Sequence, residues 1–305
     1  MRTVLLWMAR NPWLKQRVPR FAFVRKATRR FMPGEDVAAA LVAADALMAQ
    51  GQGILFTRLG ENLTSFAEAD AVAAHYHEVL DASRSRQRPI EASVKPTQLG
   101  LDIDPEATFA HCDALARHAA EVGSWLWLDM EGSPYVEPTI ALYERLRAIH
   151  ANVGICLQAY LKRTPADVRR LLPLGPAIRL VKGAYDEPAA IAYRSRAEVS
   201  GAYQTLSVWL AEAARDGGVR FGLGTHDVDL VRRIATFADA AGVPREKLEV
   251  HMLYGIRAPE LRKLQREGFP AFTLVAYGAS WYPWYMRRLA ERPANVLFAV
   301  RQILP

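Results

Sequence analysis

Cysteine is scarce, with Cys112 and Cys156 the only two in 305 residues. A disulfide framework is excluded, and so is a zinc site built on paired thiolates, which leaves a reducing, cytoplasmic compartment as the expectation. Acidic residues are missing from the first 34 positions, where nine basic residues stand: Arg2, Arg10, Lys15, Arg17, Arg20, Arg25, Lys26, Arg29 and Arg30. The net charge of +7 is therefore a property of that segment, because the other 271 residues carry 30 basic and 32 acidic side chains. No linker rich in proline, glycine or serine divides the chain. No Gly-x-Gly-x-x-Gly follows the first predicted strand, so a dinucleotide-binding Rossmann sheet is disfavoured. A secretory signal is missing too, since Val4–Ala9 is too short an apolar core and no small-residue cleavage site follows.

What remains is a globular composition, 51% hydrophobic and 23% charged. The longest uncharged stretch, Gly268–Met286, has the length to span a bilayer, but Pro270, Gly278, Ser280 and Pro283 would break such a helix. It reads as a buried strand, a turn and the start of a helix. The bland reading of the basic segment is a solvated face. The sharper one is a membrane-surface contact beside Trp7, Trp13, Phe21 and Phe23, and nucleic acid ranks below both.

Asp36–Gln50 carries a helical apolar stripe closed by Gly51. A short apolar run followed by an amphipathic stretch then recurs eight times. The runs are Gly53–Leu59, Ile90–Val94, Trp125–Leu128, Val153–Leu157, Ala177–Val181, Arg220–Gly224, Leu248–Leu253 and Ala271–Ala276. Glu91 and Ser93 make the second the least regular. Asp104-Pro105, Thr164-Pro165 and Asp227 mark helix starts, and Gly123, Gly242 and Gly268 mark stops. Apolar strands separated by helices predict a parallel sheet covered on both faces. Eight units in roughly 250 residues predict an α/β fold, a distorted (β/α)8 TIM barrel over residues 53–305, behind a basic helical extension over 1–52.

Barrel enzymes carry their chemistry at strand C-termini, and here those ends are polar. In order they present Lys95, then Asp129 with Glu131, Gln158, Lys182, Thr225-His226, His251 to Tyr254, and Tyr277, with Arg287 and Arg288 just beyond. Most have a plainer reading. Lys95 and Lys182 suit a solvated rim, His226 a satisfied core position, and Arg287-Arg288 an exposed helix turn ion-paired with Glu291. Asp129 resists one, because a carboxylate between Leu128 and Met130 needs a cation. No histidine pair has metal-site spacing and company, so no metal is expected. Trp281, Tyr282, Trp284 and Tyr285 suit either core or the walls around a planar cofactor.

Eight segments, SVKPTQLG (93–100), LDMEGS (128–133), LQAYLKRT (157–164), RLVKGAYDE (179–187), GTHD (224–227), HMLYG (251–255), AYG (276–278) and WYPWYMRRLAERPAN (281–295), together resemble the flavin-dependent proline dehydrogenase family. FMPGED (31–36) resembles its short, single-function bacterial members, and the length leaves no room for the aldehyde-oxidising domain of bifunctional ones. The resemblance implies FAD at the strand ends and oxidation of L-proline to 1-pyrroline-5-carboxylate, with electrons passed to a membrane quinone. It implies that Arg287 and Arg288 hold the substrate carboxylate, that Asp129 and Lys95 sit near the amine, and that Tyr277, Leu253 and Tyr185 close over the ring. Gln158, Arg179, Val181, Lys182, Gly183, Ala184, Thr225, His226 and Glu291 match positions that touch FAD, and Arg179 or Lys182 would stabilise the anionic reduced flavin. Two other classes compete. A Schiff-base aldolase would use Lys182 as nucleophile, and a non-catalytic protein would act through its basic N-terminus on a membrane or nucleic acid.

Overall fold

Eight parallel strands close on themselves in sequence order: β1 (Gly53–Arg58), β2 (Ile90–Val94), β3 (Leu126–Leu128), β4 (Val153–Gln158), β5 (Ala177–Val181), β6 (Arg220–Gly224), β7 (Leu248–Leu253) and β8 (Ala271–Tyr277). The computed structural model describes residues 7–8, 11–18, 21, 28–60, 63, 65–282 and 284–286. Each predicted run is a strand to within a residue, and the last pairs with the first from Gly53↔Phe272 to Arg58↔Tyr277. Around them run α1 (Pro12–Arg17), α2 (Val37–Met48), α3 (Phe66–Ser83), α4 (Pro105–Glu121), α5 (Val136–Arg147), α6 (Thr164–Leu171), α7 (Arg196–Arg215), α8 (Val228–Ala240) and α9 (Ala258–Arg266). Residues of Gly268–Met286 take the predicted strand and turn, and then a helical turn at 281–282 and 284–286. No described helix is long and apolar enough to cross a membrane.

The helix signals act as local chemistry dictates. Asp36 Oδ1 accepts the Ala39 N–H (2.7 Å), Asp104 Oδ1 those of Glu106 and Ala107, and Asp227 Oδ1 that of Leu230. Gly123, Gly242 and Gly268 take φ of 68°, 70° and 97° where their helices stop. Thr164-Pro165 departs from expectation. The cap position is Arg163, because the Thr164 hydroxyl donates instead to the Gln158 carbonyl at the end of β4 (2.6 Å).

Small residues facing large ones fill the barrel interior. A Cβ on Gly53 would stand 2.2 Å from the Phe272 ring, one on Gly154 2.4 Å from Trp127, and one on Gly222 2.9 Å from His251. Inward-facing glycines on β1, β4 and β6 thus leave room for rings from β8, β3 and β7. Outside the strands, α2 seats Ala40, Ala44 and Met48 against Ile54, Phe56 and Val275.

The chain's opposite ends meet at the strand C-termini. Phe31, Met32 and Leu59 pack with Trp281, Tyr282, Trp284 and Tyr285, and Met8, Leu14 and Val18 pack against that cluster. The Trp281 indole donates to Glu35 (2.8 Å). The Arg30 carbonyl crosses Gly255, φ 72°, so closely that a Cβ there would be 1.5 Å away.

Gly154→Ala should therefore cost about 1–3 kcal/mol through overpacking against Trp127. Gly201→Ala, on α7 with nothing within 4 Å of its Cβ, should gain about 0.5–1 kcal/mol. Urea midpoints of the two variants, moving in opposite directions, check both.

Candidate active site

The floor of the barrel is ionic. Arg220, from β6, donates to Glu91 Oε1 on β2 (2.8 Å) and to Glu249 on β7 (2.8 and 3.0 Å). Trp127 donates its indole N–H to Glu91 Oε2 (2.6 Å), and the Arg220 guanidinium lies over the Trp125 and Trp127 rings. Burial pushes the Glu91 carboxyl above its ordinary range against the pull of Arg220. For Glu249 burial acts the same way, but the His251 hydrogen bond and the Arg220 charge outweigh it and hold the carboxyl low. His251 stacks on Phe272 and lies 3.0 Å from Glu249 Oε2; burial lowers it to about 4 against that carboxylate's pull. A carboxylate only accepts, so the neutral ring carries its proton on Nε2 and keeps a bare lone pair at Nδ1.

Above the floor opens a cavity of about 710 Å³ whose wall includes Asp129, Cys156, Arg179 and His251. Ser93 donates to Asp129 Oδ1 (2.9 Å), and the buried Arg179 guanidinium bonds both Asp129 Oδ1 and the Ser93 hydroxyl. Burial opposes the Arg179 charge, yet the Asp129 carboxylate beside it raises its pKa. Among the described residues no hydrogen bond reaches Asp129 Oδ2. Arg179 Nη1 and His251 Nδ1 are likewise buried without partners. Cys156 is no nucleophile, because burial pushes its thiol up despite Arg179.

On the outer side, Lys182 donates to Asp227 Oδ2 (2.8 Å) and to the Ser200 hydroxyl (3.1 Å). Burial works against the Asp227 charge, but Lys182 holds its carboxyl below the usual range. Lys182 is thus held in an ion pair and a hydrogen bond, an arrangement that lends the Schiff-base reading no support. His226 Nε2 accepts the Leu253 N–H (3.0 Å), and both residues lie on the wall with Val181, Gly183, Ala184 and Thr225. Gly183 holds φ 117° where a Cβ would strike the Tyr160 ring at 2.2 Å, which keeps the main chain against the cavity.

Other residues named from the sequence stand elsewhere. Tyr277 is corrected outright. Alternation along β8 turns Leu274 into the cavity and Tyr277 to the outside, where its hydroxyl meets His75 Nε2 (2.7 Å) and its ring packs on Phe56. Gln158 is buried beside the cavity, its amide donating to the Glu131 carbonyl (2.9 Å). Lys95 reaches the Gly60 carbonyl (3.4 Å) off the cavity wall, and Tyr185 follows Ala184 on the loop after β5 without lining it. Arg287, Arg288 and Glu291 lie outside the described residues. Of the wall residues, Leu274 was missed, His251 was named only as a polar strand end without a role, and Arg196 and Arg257 were missed. For the first two, counting alternate positions back along β8 and β7 was the available signal.

Asp129→Ala would strand the buried Arg179 charge and should cost about 3–5 kcal/mol, part of which Arg179→Met restores. A double-mutant cycle by urea unfolding checks it. His251 gives a pH dependence. The unfolded ring takes a proton near 6.5 and the folded one only near 4, so stability falls as pH drops from about 6.5 to 4. The loss should total about 3 kcal/mol, and in His251→Gln the slope over that window should flatten.

Comparison with known proteins bears on the family and the fold. The family model for proline dehydrogenase matches residues 40–301. Proline dehydrogenase 1 of Bacillus subtilis (strain 168) is 31% identical over 304 residues, covering 100% of this chain and 99% of its own. Proline dehydrogenase of Deinococcus radiodurans is 30% identical over 308 residues, covering 99% and 97%. Among solved structures, proline utilization A of Bdellovibrio bacteriovorus, inactivated by N-propargylglycine, superposes with a TM-score of 0.82 at 21% identity. A proline utilization A mutant of Bradyrhizobium japonicum gives 0.76 at 18%. These cover 95% and 92% of this chain but only 36% and 32% of theirs, and at such identities the likeness is one of fold.

Proposed function

The chain belongs to the proline dehydrogenase family, and on that premise we propose that it oxidises L-proline to 1-pyrroline-5-carboxylate with FAD in the strand-end cavity and a quinone as acceptor. The observation that carries this reading is Asp129, with Oδ1 fixed by Ser93 and Arg179 and Oδ2 without a hydrogen bond among the described residues. Proline is a zwitterion, so its site needs an anion for the ammonium and a cation for the carboxylate. Asp129 Oδ2 accepts an ammonium N–H, and a carboxylate held in one orientation gives up little freedom in doing so. Arg287 and Arg288 belong to the carboxylate end, where a guanidinium fork matches two oxygens, and Lys95 belongs to the polar group around Asp129. Leu253 offers apolar contact to the ring, and Tyr185 is carried by a neighbouring loop.

The residues present fit a flavin. A cavity of about 710 Å³ is within the usual range for a bound small molecule. The orphaned Arg179 Nη1 supplies a donor and His251 Nδ1 an acceptor at the cavity wall, where a ring edged with both kinds of group would satisfy them. Val181, Lys182, Gly183, Ala184, Thr225 and His226 would hold the cofactor along the wall, with Gln158 and Glu291 beside it. When bound, the flavin supplies the hydride acceptor. Arg179, kept cationic by Asp129 in a dry setting, favours negative charge developing beside it. The division at residue 52 into an extension and a catalytic barrel belongs to the same reading.

A quinone dissolves in lipid, and the segment before β1 suits contact with a membrane's inner face. Trp7, Trp13 and Phe21 are 60%, 59% and 53% exposed, and the Arg17 guanidinium lies 5.0 Å from the Trp13 ring centroid.

Purified protein should be yellow and should bleach when L-proline is added without air. Asp129→Asn should keep its flavin while kcat/KM for proline falls by about 100-fold or more, as loss of a charge-assisted contact made to the reacting group predicts. A folded protein that stays uncoloured after reconstitution with FAD overturns the reading.

A further inference from the structure

The outer half of the cavity holds charge that the substrate reading does not use. Deeper in, every cavity charge is matched: Asp129 by Arg179, and Asp227 by Lys182. Toward the rim the same wall carries Arg196, Arg257 and Asp229. Asp229 is exposed and shares its field with Arg232 on α8. Among the described residues neither the Arg196 nor the Arg257 guanidinium has a hydrogen-bond or ion-pair partner.

Arg257 is also the one described non-glycine residue with a left-handed backbone, at φ 52° and ψ 36°. Glycine would take that conformation freely, so an arginine there is held at a conformational cost. Its side chain caps nothing on α9. A strained residue with an unpartnered cation on a cavity wall points to a ligand rather than to the fold. Two guanidinium groups beside an ion-paired lysine and the Gly183 main chain make a rim suited to two linked anionic groups. Each fork offers parallel donors to oxygens on one phosphorus.

We propose that Arg257, with Arg196, forms a diphosphate-binding rim, and that Arg257 is the residue by which this cavity prefers a flavin dinucleotide to the phosphate-free flavin. The proposal rests on the flavin reading above and adds a residue and a selectivity to it.

The test compares the flavin-stripped full chain with Arg257→Gly, using fluorescence quenching to measure FAD and riboflavin affinity. Loss of a charge-assisted contact should weaken FAD by about tenfold or more and leave riboflavin within about twofold. The melting temperature of the flavin-free variant should not fall, because glycine relieves the left-handed backbone. Unchanged FAD affinity, or equal weakening of both flavins, overturns the rim. If the wild-type chain binds neither flavin, the flavin reading fails by itself, and inorganic diphosphate then decides. A rise in melting temperature with diphosphate in the wild type but not in Arg257→Gly supports the rim, and no rise in the wild type overturns it.

Discussion

Arg179 and Asp129 come from strands that are not neighbours, β5 and β3, and they meet across the interior with Ser93 of β2 as the third member. Three strands are thus tied by charge and hydrogen bonding rather than by packing. The tie is expensive in isolation, since either ion alone in that setting would be destabilising. As a set it does two things at once. It spends one carboxylate oxygen on the guanidinium and leaves the other for a ligand, and it keeps a cation in a dry place beside the cavity. The ionic floor beneath follows the same logic, with Arg220 between two carboxylates and aromatic rings closing the remaining faces.

The fold was almost wholly legible, because a parallel barrel writes each strand as a short apolar run and each helix with a start and a stop. The irregular second run proved the more instructive. Glu91 and Ser93 look like interruptions in sequence, yet they are the β2 contributions to the floor and to the Asp129 tie. Asp129 was legible as an acid in need of a cation. The identity of that cation was not, because pairing across the interior depends on strand tilt and register.

Tyr277 shows where motif reading gives way to geometry. It stands at a strand end among functional-looking neighbours, but side chains alternate across a strand and its parity is outward. Leu274 has the inward parity and an unremarkable identity. Arg196 and Arg257 were invisible for a different reason. They sit on the first residue of a helix and on the residue before one, positions at which an arginine in sequence carries no signal of where it points.

The seam between β1 and β8 joins residues more than 200 positions apart, and the mouth cluster joins Phe31 to Tyr285. During synthesis the first strand must wait with a bare edge, and the early aromatic and methionine side chains with no cover, until nearly the whole polypeptide has left the ribosome. Closure is then a late event of high contact order, slow relative to local helix formation. Truncation from either end would do more than shorten the molecule: it would leave the other end's half of the seam as an adhesive surface, so aggregation in cells, rather than reduced turnover, is the expected phenotype of such fragments.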